Sequence, residues 1–181
     1  MNENLEIEYK VLLTKEQFEQ LARQYQDVQF IRQVNTYYDT TDLQIRKHYG
    51  SMRIREKEGH FIFTLKKHTD NGLLEFEKEV PCNDVSAFDD YEIKQLFMDM
   101  GIHDPIVMLT SLTTDRAVIF NGYAEICLDH NFYNGKEDYE IEYEYKKDHD
   151  GKKMFQEILD TIHVQYDHNC VSKSKRALSS L

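Results

Sequence analysis

Several short stretches carry ionisable residues at a spacing of two: Glu6, Glu8 and Lys10; Arg53 and Arg55; Glu75, Glu77 and Glu79; Glu125 and Asp129 around Cys127; and Glu140, Glu142 and Glu144. In extended backbone, residues two apart project from the same face, so each stretch predicts a strand with one charged side. Apart from Lys10, the charges within each stretch are of one sign, whereas solvated strand faces usually mix signs to limit self-repulsion. If these faces point inward, they need a compensating ligand or ion, because buried unpaired charge is costly. A polyanion such as a polyphosphate would satisfy the cations. Oxygen-only carboxylate clusters suit Mg²⁺ or Mn²⁺ rather than zinc, and close carboxylates would repel one another unless a cation intervened. Alternation alone fits a second arrangement equally well, a dry core with charged stripes facing water.

Other residues extend the set. Lys66 and Arg116 each sit singly within a strand-like run, and Lys173, Lys175 and Arg176 fall at the start of a short helical tail. Cations at a helix N-terminus oppose the macrodipole, an objection that a bound anion would reverse; a basic tail in solvent is the alternative. No Ser/His or Cys/His arrangement suggests a covalent nucleophile. Cys82, Cys127 and Cys170 form no Cys-x-x-Cys pair, and no metal-binding spacing links the eight histidines, so neither a disulfide framework nor a zinc site is expected.

The elements that must position these residues read as mainly β with added helices. From Leu5 to Val11 apolar and charged residues alternate, placing Leu5, Ile7, Tyr9 and Val11 on one face. Thr14 caps a helical pattern with Phe18, Leu21, Ala22 and Tyr25 on one stripe. Further strands are predicted at about Val34–Asp39, Ser51–Glu56, His60–Lys67, Leu73–Val80, Asp115–Asn121, Tyr123–Phe132 and Glu137–Lys146. Glu58-Gly59, Asp70-Asn71-Gly72, Asn121-Gly122 and Asn134-Gly135 are the turn signals. Helices are expected from Asp84 or Ser86 to Gly101, from Asp104-Pro105, from Asp150 and from Ser172. About eight consecutive antiparallel strands can close into a barrel with the helices packed outside.

Composition narrows the function. The chain has 181 residues, enough for one domain spanning 1–181 with a real core. Its 33 Asp+Glu against 22 Lys+Arg, a net charge of -11, argue against a nucleic-acid partner, which would need a basic face. No apolar run approaches the roughly 18 residues of a membrane span, and no signal-peptide pattern is present, so a cytoplasmic protein without a membrane partner is expected. A monomer or a homodimer fits this reading.

The ordered set of motifs resembles the triphosphate tunnel metalloenzymes of the CYTH superfamily. Glu6-Ile7-Glu8-Tyr9-Lys10 is similar to that family's Glu-x-Glu-x-Lys signature. Tyr37-Tyr38-Asp39-Thr40, Arg53-Ile54-Arg55, Thr64-Leu65-Lys66, Glu75-Phe76-Glu77, Arg116, Leu128-Asp129, Glu140-Ile141-Glu142 and the basic tail follow in order. The resemblance implies an eight-stranded antiparallel tunnel in which Lys10, Arg53, Arg55, Lys66 and Arg116 bind phosphate, with Lys173 or Lys175 from the tail. It implies Mg²⁺ or Mn²⁺ as cofactor, with Glu6, Glu8, Asp129, Glu140 and Glu142 holding metal or orienting water. Lys66, Glu6 and Glu8 are then the catalytic candidates. Glu75 and Glu77 match a less uniform acidic pair on the substrate side; the basic residue often preceding it is replaced by Leu73-Leu74. The implied reaction is metal-assisted hydrolysis of a phosphoanhydride, with inorganic triphosphate ahead of thiamine triphosphate and of adenylate cyclase-like chemistry. A module that binds a polyphosphate or phosphorylated ligand without turnover is the other class.

Overall fold

The computed structural model describes residues 1–181. Along the chain come β1 (Asn2–Glu6), β2 (Glu8–Leu13), α1 (Lys15–Gln24), β3 (Ile31–Thr40), α2 (Gln44–His48), β4 (Gly50–Lys57), β5 (His60–Thr69) and β6 (Gly72–Val80). A 3₁₀ turn (Val85–Asp89), α3 (Tyr91–Asp99), β7 (Ile106–Phe120), β8 (Ala124–Tyr133), β9 (Lys136–Tyr145), α4 (Gly151–Asp160) and α5 (Lys173–Ser179) complete it. No helix is long and apolar enough to cross a membrane.

The strands form a nine-stranded sheet in the order β1-β6-β5-β4-β3-β7-β8-β9-β2. This corrects the expected closed, eight-stranded barrel: the order runs between two ends, β1 and β2, which do not pair with each other. The extra strand arises because the N-terminal run breaks at Ile7. Residues 2–6 pair antiparallel with β6, and residues 8–13 with β9. The break also overturns part of the expected apolar face, since Leu5 and Ile7 remain 43% and 42% exposed while Val11 and Leu13 are buried.

The turn chemistry matches the signals. Glu58-Gly59 and Asn134-Gly135 both take positive φ at two successive residues, the twist that a two-residue hairpin demands. At Asn121-Gly122 the Asn121 side chain accepts from the backbone N–H groups of Tyr123 and Ala124. One expectation fails: Asp104-Pro105 precedes β7, not a helix. The following Ile106-Val107-Met108-Leu109-Thr110 is rich in β-branched residues, which favour a strand.

The chain divides into two compact units, one of residues 1–6, 33–112 and 174–181, the other of 7–32 and 113–173. In the first, Tyr38, Met52, Ile54, Phe63, Leu65 and Val80 from the strands pack with Ile45 of α2, Phe88 of the 3₁₀ turn, and Ile93 and Phe97 of α3. Asp90 caps α3 by accepting from the N–H groups of Glu92 and Ile93. In the second, Val11, Leu13, Ala117, Ile126, Leu128, Tyr139, Ile141 and Tyr143 pack with Phe18 and Leu21 of α1 and Phe155 and Leu159 of α4. Thr14 and Gln17 form a capping box on α1, and Asp150 caps α4. In each unit the helices cover the apolar strand face. The charged residues occupy the other one.

Candidate functional site

In the first unit the strand registers align the polar face. Arg55 lies opposite Asn35, Arg53 opposite Tyr37 and Thr64, Lys66 opposite Glu75, and Thr64 opposite Glu77. Direct partners in an antiparallel pair share a face, so these groups assemble from four adjacent strands. Lys66 donates to Glu6, which is 9% exposed, and lies 3.3 Å from Glu75. The Thr64 hydroxyl donates to Glu77 at 3.2 Å, and Arg55 Nε donates to Asn35 Oδ1 at 2.9 Å. Arg53 is the least satisfied cation here. Its Nη2 is 3.9 Å from Glu75, and its buried Nε has no acceptor in the protein. The Asn35 and Gln33 amide nitrogens are also buried without an acceptor.

The Tyr37-Tyr38-Asp39-Thr40 motif has a structural part to play in this unit. Asp39 accepts from the N–H groups of Ile45 and Arg46 at 2.9 Å each, and Thr40 Oγ1 accepts from that of Gln44 at 2.8 Å. Together they hold the start of α2. The Tyr38 hydroxyl donates to Asn83, tying β3 to the segment before the 3₁₀ turn.

In the second unit Lys10, Arg116 and Lys173 are paired with the acids of the polar strand face. Arg116 grips Asp129 with two parallel bonds of 2.7 and 2.6 Å and reaches Glu142 as well. Lys173 Nζ stands 2.8 Å from Asp129, 3.1 Å from Glu140 and 2.6 Å from Glu142. Lys10 pairs with Glu8. Burial works against the charge on Lys173, but Asp129, Glu140 and Glu142 outweigh it and hold its pKa well above the ordinary lysine value. Burial likewise pushes Glu142 upward, yet Lys173, Arg116 and Lys10 hold it well below the usual carboxylate range. Asp129 is lowered against the same burial penalty by Arg116 and Lys173. The repulsion expected among these carboxylates is therefore relieved by the protein's own cations.

The sequence left Lys173 and Lys175 as alternatives. Lys173 is buried in the carboxylate cluster, whereas Lys175 is exposed. Asn169, which the sequence reading missed, helps to bring Lys173 there. Its side chain accepts from the N–H of Lys10 at 2.9 Å and donates to the carbonyl of Glu8 at 3.0 Å, while Cys170 N–H bonds to the Lys10 carbonyl. The tail is thus fastened alongside β2 just ahead of Lys173. Only the side-chain capacity of Asn169 to mimic a strand partner could have signalled this. Cys127 lies on the same face as Glu142, and burial raises its thiol pKa to about 12, so it is no nucleophile.

Of the residues expected to serve one site, the first unit brings together Glu6, Arg53, Arg55, Lys66, Glu75 and Glu77. The second brings together Glu8, Lys10, Arg116, Asp129, Glu140, Glu142 and Lys173. No group of three or more His, Cys, Asp or Glu side chains is arranged to hold a metal ion. The donor chemistry of Asp129, Glu140 and Glu142 nevertheless fits a hard divalent cation: all are carboxylates, and they already converge on one positive charge, the Lys173 ammonium.

The CYTH domain model matches residues 4–176, and the chain belongs to the CYTH family. It is 35% identical over 170 residues to the Bacillus subtilis protein named "Putative triphosphatase YjbK", covering 91% of this chain and 90% of that one. Among solved structures it is similar to a "putative adenylate cyclase" from Bacillus halodurans, with 34% identity, a TM-score of 0.85, and 97% and 98% of the two chains covered. It also shares its fold with the Hippeastrum protein described as a "putative adenylyl cyclase" with a dominant triphosphatase activity, at 21% identity and a TM-score of 0.79 over 97% and 96% of the chains.

Proposed function

We propose that this CYTH-family chain hydrolyses a phosphoanhydride bond of a triphosphate, inorganic triphosphate first, with Mg²⁺ or Mn²⁺ as cofactor. The observation that carries the reading is Arg53, a guanidinium on a polar strand face whose buried Nε lacks an acceptor and whose nearest carboxylate is 3.9 Å away. A buried donor without an acceptor costs roughly 1–3 kcal/mol, a penalty that an arriving phosphate oxygen removes. The triphosphatase name of the Bacillus subtilis relative supports the reaction class.

In this reading Arg53 and Arg55 bind and orient phosphate oxygens through their planar forks. Lys66, held by Glu6 and Glu75, places an ammonium where charge grows on a transferring phosphoryl group. Glu8, Asp129, Glu140 and Glu142 of the second unit would hold the divalent ion, which would supply charge neutralisation. Lys173 and Arg116 must share those carboxylates with it. Water is the acceptor of the phosphoryl group, since no side chain is set up as a covalent nucleophile.

A second reading has its own support. Because Arg116 and Lys173 already neutralise the acids, the chain could hold a polyphosphate without turning it over. Phosphate release from triphosphate, pyrophosphate, ATP and thiamine triphosphate, with each metal and with chelator, separates the two. The hydrolase reading expects metal-dependent release that chelator abolishes. Triphosphate-dependent stabilisation without release would establish the binding module, and neither effect would leave a purely structural β protein.

A further inference from the structure

The polar face of the first unit does not end at its two arginines. Asn35 on β3 lies opposite Arg55 on β4, and Gln33, two residues earlier, lies opposite Lys57. Asn35 is fully buried and Gln33 is 3% exposed, which is unusual for amides with incomplete pairing. Asn35 Oδ1 is satisfied by Arg55 Nε, which fixes the amide with its NH₂ as the free end. That NH₂, the Gln33 NH₂ and Arg53 Nε are all donors, all buried, and all without an acceptor in the protein. Three buried donors without a protein acceptor on one face of one strand pair fit a group bearing several acceptor oxygens.

We propose that Gln33 and Asn35 continue the phosphate-binding row begun by Arg53 and Arg55, and that Gln33 makes the site read the length of a linear polyphosphate. The inference rests on the proposed triphosphate reading. Successive same-face positions on a strand are about 6.6–6.8 Å apart, so Gln33 lies one such step beyond the Asn35–Arg55 pair. A pyrophosphate held by the two arginines ends short of Gln33, whereas a triphosphate has a further phosphate to present to it.

The test compares wild-type protein with Gln33→Met and Asn35→Asp by titrating inorganic triphosphate and pyrophosphate and following the melting temperature, with Mg²⁺ and with chelator. Gln33→Met removes a buried unsatisfied donor at similar volume, so the ligand-free protein should melt no lower than wild type. Its triphosphate affinity should nevertheless fall at least about fivefold, as expected for a lost hydrogen bond to a charged acceptor, with pyrophosphate affinity unchanged. Asn35→Asp keeps the acceptor for Arg55 but replaces the donor by an anion, and should weaken both ligands by at least about tenfold. Unchanged triphosphate affinity in Gln33→Met, or an equal loss for both ligands, overturns the inference. If Gln33→Met does not fold, wild-type affinity for both ligands in Asn35→Asp does so. A wild-type chain that binds no triphosphate under either condition sinks the underlying reading itself.

Discussion

The two units carry polar strand faces of the same origin, yet Arg53 in the first is left unmet while the cations of the second are paired. In the second unit Lys173 meets three carboxylates and Arg116 two, so positive charge is fully matched inside the protein. In the first unit Arg53 has only a distant carboxylate and a buried N–H with no acceptor, accompanied by two buried amides in the same condition. Alternating charge along a strand therefore does not by itself create a binding surface. What matters is whether the facing strands supply enough opposite charge at the right register. Arg116 lies directly opposite Asp129, whereas Arg53 lies opposite Tyr37 and Thr64.

The sharpest way to break this comparison is to remove Lys173. Lys173→Met should destabilise the protein by about 3–5 kcal/mol, because three buried carboxylates lose a shared counter-charge. Urea unfolding at neutral pH measures this, and a change within experimental error would show that the cluster does not depend on Lys173. Acidification probes the same cluster more gradually. Asp129 and Glu142 have pKa values held below their ordinary 3.8 and 4.5, so their stabilisation is complete above about pH 4.5 and is lost as pH falls through the lowered folded values. Hydrogen exchange should accordingly show protection of β8 and β9 that is constant from pH 7 to about 5 and declines below about 4. A decline already complete at pH 5 would contradict the pairing.

Arg53→Ala should be the smallest perturbation of the fold and the most specific one of function. With no close partner to abandon, Arg53 should cost little stability, while triphosphate binding or turnover falls at least about tenfold, equivalent to about 1.4 kcal/mol. Equal kinetics in a folded variant would remove Arg53 from the binding row. A large loss of stability would instead place it with the paired cations of the other unit.

Much of this organisation is legible in the amino-acid order. Period-two alternation separates the charged from the apolar strand faces, Thr14, Asp90 and Asp150 are local capping choices, and Glu58-Gly59 and Asn134-Gly135 are local turn choices. These depend on interactions among near neighbours, so sequence suffices. The ordered motifs likewise identify the CYTH family. Other features depend on residues far apart in the chain. Ile7 alternates as well as its neighbours, yet the strand breaks there because its two halves find different partners, β6 and β9. Lys173 rather than Lys175 enters the acidic cluster because Asn169 fastens the tail to β2 from 159 residues away. Gln33 and Asn35 read as ordinary polar strand residues, and only the register against β4 and their burial mark them as donors awaiting an acceptor. Backbone propensity and face periodicity are set locally; which charge meets which, and which polar group is left unmet, is decided only when distant strands come into register.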